Sequence, residues 1–191
     1  MKQAVELRHA SRLVNHGPTV LISARHGDRI NVMAAAWSMP VEFTPPRIAV
    51  VIDKSTCTRE MVLASGTLAL NLPCAALADV TYTVGSVSGR DDASDKFTRF
   101  NIAHFEGPAL GLPLVAGCVV WMECKLLREP HTEAAYDTFF VEVVSAQADS
   151  RVFANGRWSF TDDNAELHTL HHLGAGAFAR AGSVLQARLL T

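Results

Sequence analysis

Apolar and polar positions alternate in short blocks along this chain, and most blocks have the length and β-branched content of strands. Residues 19–24 form the first block and 30–36 the second. Arg25-His26-Gly27-Asp28-Arg29 lies between them as a glycine-containing turn, so the pair predicts a hairpin. Thr44-Pro45-Pro46 is a rigid break, because proline fixes φ and lacks an amide donor. The run 48–52 that follows predicts a buried strand. A helix is predicted from near Thr58 to about Ser65, with Gly66 as its stop. Residues 68–73 predict a fourth strand, in which Asn71 is the polar exception. Leu77, Val80 and Val84 then recur at helical spacing as far as Gly85. The small and charged residues of 85–97 predict a surface loop leading into a short helix.

The second half reads in the same way. Residues 108–113 are a Gly/Pro connector, and 114–127 predict one long strand whose far half is solvated, since Glu123 and Lys125 share a face. Residues 129–133 predict a turn, and 138–146 a return strand that pairs with 114–127 as a long antiparallel hairpin. A short strand at 151–154 precedes Asn155-Gly156, a strong tight-turn signal. The sum is a mostly β single domain over residues 1–191: a six- or seven-stranded Greek-key barrel with a few helices packed on it.

Composition narrows the function classes. A chain of 191 residues buries roughly 70% of its unfolded surface. With 49% hydrophobic residues, an apolar surface covered in an oligomer is expected. Seventeen basic and 19 acidic residues give a net charge of −2, with no electrostatic footprint for nucleic acid. No run of about eighteen apolar residues predicts a membrane span, and the polar stretch 1–12 is unlike a signal peptide. A cytoplasmic protein is expected. Cys57, Cys74, Cys118 and Cys124 include no Cys-x-x-Cys and read as reduced, buried thiols. His168 and His172 would share a face if their segment were helical. No third ligand and no intervening glutamate accompany them, so no metal site is predicted.

The candidate chemistry lies between Asn31 and Arg59. Three successive alanines, Ala34, Ala35 and Ala36, follow Met33 and leave main-chain polar groups unshielded, so a flat ring could lie against them; Trp37 and Ser38 close the run. The strand at 48–52 ends in Asp53-Lys54-Ser55-Thr56-Cys57-Thr58-Arg59. That segment joins hydroxyls, two positive charges and a helix start, which together suit a phosphate. A ring surface and a phosphate cup one strand apart suggest a mononucleotide-type cofactor. The same residues also describe an ordinary N-capped helix after a strand, with Ser55 or Thr56 as cap. Asn71 could serve neighbouring backbone or the edge of a ring. No G-x-G-x-x-G or G-x-x-x-x-G-K fingerprint is present, which argues against a Rossmann or P-loop site.

The order of these pieces resembles the flavin reductase-like, FMN-binding split-barrel family, which includes flavoredoxins and short-chain flavin reductases. The matching pieces are Asn31-Val32-Met33-Ala34-Ala35-Ala36-Trp37, the Asp53 to Arg59 segment and Leu70-Asn71-Leu72-Pro73. Ser88-Gly89-Arg90 with Asp95-Lys96-Phe97 continues the series, and Leu173-Gly174-Ala175-Gly176 with Phe178 closes it. One departure is Phe178, where the family pattern leads one to expect a tyrosine nearby.

The resemblance implies a split barrel, a homodimer with FMN at its interface, and NADH or NADPH as electron donor. A small molecule or a protein would accept the electrons. It implies backbone contacts to the ring from Ala34 to Ser38, and phosphate contacts from Ser55, Thr58 and Arg59 beside Asp53 and Lys54. Asn71, Ser88, Gly89 and Lys96 would meet the ring edge and ribityl chain, with Arg90 or Lys96 as further phosphate or ring-edge partners. Trp37 would stack beside the flavin or anchor the core. No side chain is assigned a catalytic role, since the flavin carries the chemistry. A non-enzymatic electron carrier, without a pyridine-nucleotide step, is the alternative.

Overall fold

The structure is a computed structural model that describes residues 1–91 and 95–190. Asp92, Ala93 and Ser94, in the predicted charged loop, lie outside the described residues. The chain begins with β1 (Lys2–Ala4), α1 (Ala10–Val14), β2 (Val20–His26), β3 (Arg29–Ala35), β4 (Ser38–Phe43) and β5 (Pro46–Val51). Then come α2 (Cys57–Ser65), β6 (Thr67–Leu72), α3 (Ala78–Ser86), α4 (Lys96–Arg99), β7 (His104–Glu106) and β8 (Pro113–Val115). The last part holds β9 (Val120–Leu127), α5 (Pro130–Ala135), β10 (Thr138–Asp149), β11 (Phe153–Ala154), β12 (Arg157–Trp158), β13 (Leu170–Gly174) and β14 (Ala177–Arg180).

The main sheet runs β3-β2-β6-β9-β10-β5-β4, with β1 added on β10. All its pairings are antiparallel. The two ends of this path, β3 and β4, are consecutive in the chain, separated only by Ala36 and Trp37. A link that short spans no more than roughly 10 Å, so the sheet must curl until its ends meet at one corner. The result is the split barrel.

Period-two alternation explains why the central strands are buried on both faces. Val20, Ile22 and Ala24 of β2, Leu68, Leu70 and Leu72 of β6, and Met122 and Cys124 of β9 join the main core. The intervening Leu21, Ala69 and Trp121 pack in a second core on the outer face, together with Val84, Phe97, Leu114 and Val115. Helices α3 and α4 and the 104–118 segment are therefore the lid on one side of the barrel. No helix among the described residues is long and apolar enough to cross a membrane.

Several local expectations change. Ser38–Phe43 forms a strand that the pattern did not predict, because Pro40 sits within it; on the outermost strand of the sheet path proline is tolerated. The predicted strand 114–127 is two strands, β8 and β9, parted by a turn at Gly117 with φ 85°. Glu123 is 1% exposed rather than solvated, because its carboxylate accepts from the amides of Ala109 and Leu110 at 2.8 and 2.7 Å. The predicted turn at 129–133 opens α5, which carries Pro130 in its first turn. The three-histidine segment runs into the β13–β14 hairpin, so its helical spacing has no meaning. The helix near Thr58 is α2. Thr56 caps it, accepting from Arg59 N at 3.4 Å, and Gly66 ends it at φ 70°.

Candidate functional site

Strand β3 runs along the floor of a cleft walled by the start of α2, the end of α3 and the β13–β14 hairpin. Its narrower end is a cavity of about 200 Å³, lined by Asn31, Met33 and residues 55–58 on one side and by 84–89 and Lys96 on the other. Its wider end is a cavity of about 270 Å³, with Ala34, Ala35 and Ala36 facing Thr81, Tyr82, His172, Gly176 and Phe178. Gly85 and Ser86 line both cavities, so the two adjoin. A Cβ on Gly85 would lie 3.0 Å from the Ala34 Cβ, and one on Gly89 would lie 2.8 Å from the Asn31 amide. Small residues therefore keep the cleft open at its waist and at its narrow end.

The electrostatics of the narrow end suit an anion. The first-turn amides of α2 and the positive end of its dipole lie there, beside the hydroxyls of Ser55, Thr56 and Thr58. Lys96, at the start of α4, is only 3% exposed, yet it lines this cavity. Its ammonium donates to the Val84 carbonyl, in the last turn of α3, at 2.7 Å. Burial pulls its pKa down to about 8, partly offset by Cys57 and Asp91. Asn31 donates from Nδ2 to Thr58 Oγ1 at 2.9 Å, while its buried Oδ1 has no partner. A charged donor and an orphan acceptor thus share one small cavity.

The structure brings together Met33, Ala34, Ala35, Ala36, Ser55, Thr58, Ser88, Gly89 and Lys96 from the residues predicted by sequence. It leaves six outside. Trp37 is 73% exposed on the barrel surface, neither stacked in the cleft nor anchoring the core. Ser38 opens β4, away from both cavities, and its buried hydroxyl has no partner. Asp53 accepts from the hydroxyl and amide of Ser55, which hold its carboxyl below the usual range, and with Lys54 it faces solvent.

Arg59 corrects the phosphate assignment. Its guanidinium donates to Ile52 O at 3.0 Å, to Glu133 O at 2.6 Å and to the Asp137 carboxylate, and lies over the Phe139 ring. Those bonds tie α2 to the α5–β10 connection, and Arg59 lines neither cavity. Arg90 is likewise engaged, by Ser55 O and by Glu60 at 2.7 Å. Asn71 is fully buried in β6. It donates to Leu21 O and Ser23 Oγ and accepts from Val115 N, each at 3.0 Å, so it serves backbone and not a ring edge.

Sequence reasoning did not single out Asn31 or the α3 residues Thr81, Tyr82, Gly85 and Ser86, and it did not separate His172, which lines the wide cavity, from the neighbouring histidines. The α3 residues had a signal: they recur at i, i+3 and i+4, a small polar stripe opposite Leu77, Val80 and Val84. The four cysteines are unpaired and buried, and burial pushes the Cys118 and Cys124 thiols up. Among the described residues no group of three His, Cys, Asp or Glu could hold a metal ion.

Comparison with known proteins agrees with this geometry. The flavin reductase like domain model matches residues 11–167. The YddH protein of Escherichia coli strain K12, itself described as uncharacterized, is 56% identical over 181 residues, spanning 93% of this chain and 94% of that one. The crystal structure of an FMN-binding domain of a flavin reductases-like enzyme from Shewanella baltica OS155 superposes with a TM-score of 0.95. It is 44% identical and covers 98% of each chain. RutF of Ancylobacter novellus, an FMN reductase (NADH), is 25% identical over 139 residues, which is 73% of this chain and 72% of that one. Fold, cleft and sequence together place this chain in the flavin reductase-like domain family.

Proposed function

We propose that this chain is an FMN-dependent oxidoreductase of the flavin reductase type, which takes hydride from NADH or NADPH and passes electrons to a small-molecule or protein acceptor. The observation that carries this reading is the pairing in one cleft of a buried ammonium with a bare alanine backbone. Lys96, the hydroxyls of Ser55, Thr56 and Thr58 and the first amides of α2 suit the FMN phosphate. The orphan Oδ1 of Asn31 and the Ser88 hydroxyl suit a polyhydroxyl chain at the narrow end. Met33 and Ala34 to Ala36 suit a flat ring, because a methyl side chain lets it approach the main chain. When bound, FMN supplies the hydride chemistry, while the protein binds and orients it. The NADH-dependent FMN reductase relative from Ancylobacter novellus supports the choice of donor class.

The test is anaerobic mixing of the FMN-loaded protein with NADH or NADPH. Rapid bleaching of the flavin band is expected with at least one of them. Bleaching by dithionite alone would make the protein an electron carrier, and a protein that takes up no FMN would end the flavin reading.

The same reading includes a homodimer. Trp37 and, in β4, Met39, Val41 and Phe43 are 42–73% exposed, an apolar patch, interrupted by a register shift between Pro40 and Glu42, that begins beside Ala36 at the cleft mouth. A second copy covering this patch would bring the flavin to the interface. Sedimentation equilibrium should give twice the chain mass for the wild type and a monomer for Trp37→Glu/Phe43→Glu; a monomeric wild type would remove the dimer.

A further inference from the structure

The wide end of the cleft holds polar side chains that the binding scheme above does not use, among them Tyr82 and His172. The tip of the β13–β14 hairpin carries three successive left-handed residues, Gly174, Ala175 and Gly176, with φ of 101°, 49° and 79°. This tight tip lies on Tyr82: a Cβ on Gly176 would come within 3.0 Å of the Tyr82 ring. The hairpin is tied to the barrel by Thr19 N to Leu170 O at 2.7 Å, and Ala181 N to Thr169 O at 2.9 Å closes its base. Thr19 Oγ1 also accepts from His172 N at 3.1 Å. His171, on the other side of β13, meets Gly17 O at 3.1 Å and packs edge-on to His16.

His172 is therefore held in a fixed place. Its ring packs on Phe178, with centroids 5.2 Å apart, and faces the alanine wall across the cavity. Among the described residues neither its ring nitrogens nor the Tyr82 hydroxyl has a hydrogen-bond partner. Beside them the Thr81 hydroxyl donates to Leu77 O, and Thr19 Oγ1 accepts from His172 N. The free polar hydrogens at this end thus include His172 and Tyr82, opposite the floor that suits a ring.

Resting on the flavin reading above, we propose that His172 is a positioning residue for the ring. Its imidazole N–H hydrogen-bonds the polar edge of the bound flavin, with the Tyr82 hydroxyl as second donor. Electron density on that edge rises when the ring is reduced, so a fixed donor there favours the reduced form and raises the reduction potential. The interaction acts on the cofactor's electronics as well as on its affinity.

The test is the midpoint potential of bound FMN, measured anaerobically against a reference dye, in the wild type, His172→Phe, His172→Gln and His171→Ala. Phenylalanine keeps an aromatic packed on Phe178 but removes the donor. Its preference for reduced over oxidised flavin should fall about tenfold, a potential lower by about 30 mV for a two-electron couple. His172→Gln, which restores an N–H, should recover at least half of that shift, and His171→Ala should leave the potential unmoved. An unmoved potential in His172→Phe with FMN still bound would overturn this inference and leave the flavin reading intact. An equal shift in His171→Ala would also overturn it, by tracing the effect to hairpin packing. A wild type that takes up no FMN would instead overturn the flavin reading, and the inference with it.

Discussion

Lys96→Met is expected to make the empty protein more stable and to weaken its hold on FMN ten- to a hundredfold or more. Both effects follow from one buried ammonium. In the unfolded chain the lysine holds its proton up to about 10.5, but in the folded cleft only up to about 8. Between those values the unfolded state binds more protons, so stability rises with pH across that window. Below pH 8 the full penalty of the buried charge is present, on the order of 3 kcal/mol. Methionine removes the penalty, so the gain over wild type should be largest at pH 7 and shrink toward pH 10. The phosphate loses a charge-assisted hydrogen bond in return, about 1.5–3 kcal/mol or ten- to a hundredfold in affinity. Urea unfolding at pH 7 and 10 and an FMN titration measure the two sides. Arg59→Ala supplies the contrast: affinity held and stability lowered by about 3 kcal/mol, because Asp137 loses its partner. Wild-type affinity in Lys96→Met would remove the ammonium from the phosphate site.

Asn71→Ala should be the most destabilising of these substitutions, by about 3–5 kcal/mol, while any protein that still folds keeps its FMN affinity. The side chain sits where β2, β6 and β8 meet, with no exposed surface. Alanine strands the Val115 amide and leaves Leu21 O and Ser23 Oγ each short of a donor. Each buried group without a partner costs about 1–3 kcal/mol, and the loss of volume adds a small cavity. Ser23 also donates to Pro113 O, so the network clamps β8 against the barrel from two points. Urea unfolding measures the change. A loss below 1 kcal/mol would mean that water or a shifted backbone fills the gap. A large loss of FMN affinity at unchanged stability would restore the ring-edge role that the sequence allowed.

These two residues also show where reading the chain ran out. The strands were legible because each is a short apolar, β-branched block bounded by turn residues. Residues 20–24 announce a strand without reference to anything distant. The α2 start was legible because Thr56 and Gly66 act on their own neighbours. Strand β4 escaped because its apolar residues face outward and a proline interrupts them, which locally has the pattern of a connector.

Side-chain roles in the cleft depended on partners far along the chain. Arg59 and Lys96 carry the same charge and stand in the same pair of motifs. Arg59 meets Asp137, 78 residues later, and is withdrawn. Lys96, among the described residues, donates to a helix-end carbonyl and stays on the cavity wall. His172 belongs to the wide end solely because a hairpin closes over Tyr82. The sequence by itself determined the mostly β class, the positions of most main strands along the chain, the run of alanines and the hydroxyl-rich helix start, since each is a property of adjacent residues. The tertiary structure alone decided which cations were left for an anion and which polar groups were consumed by backbone, because a charge or a donor is committed by whatever it meets in space.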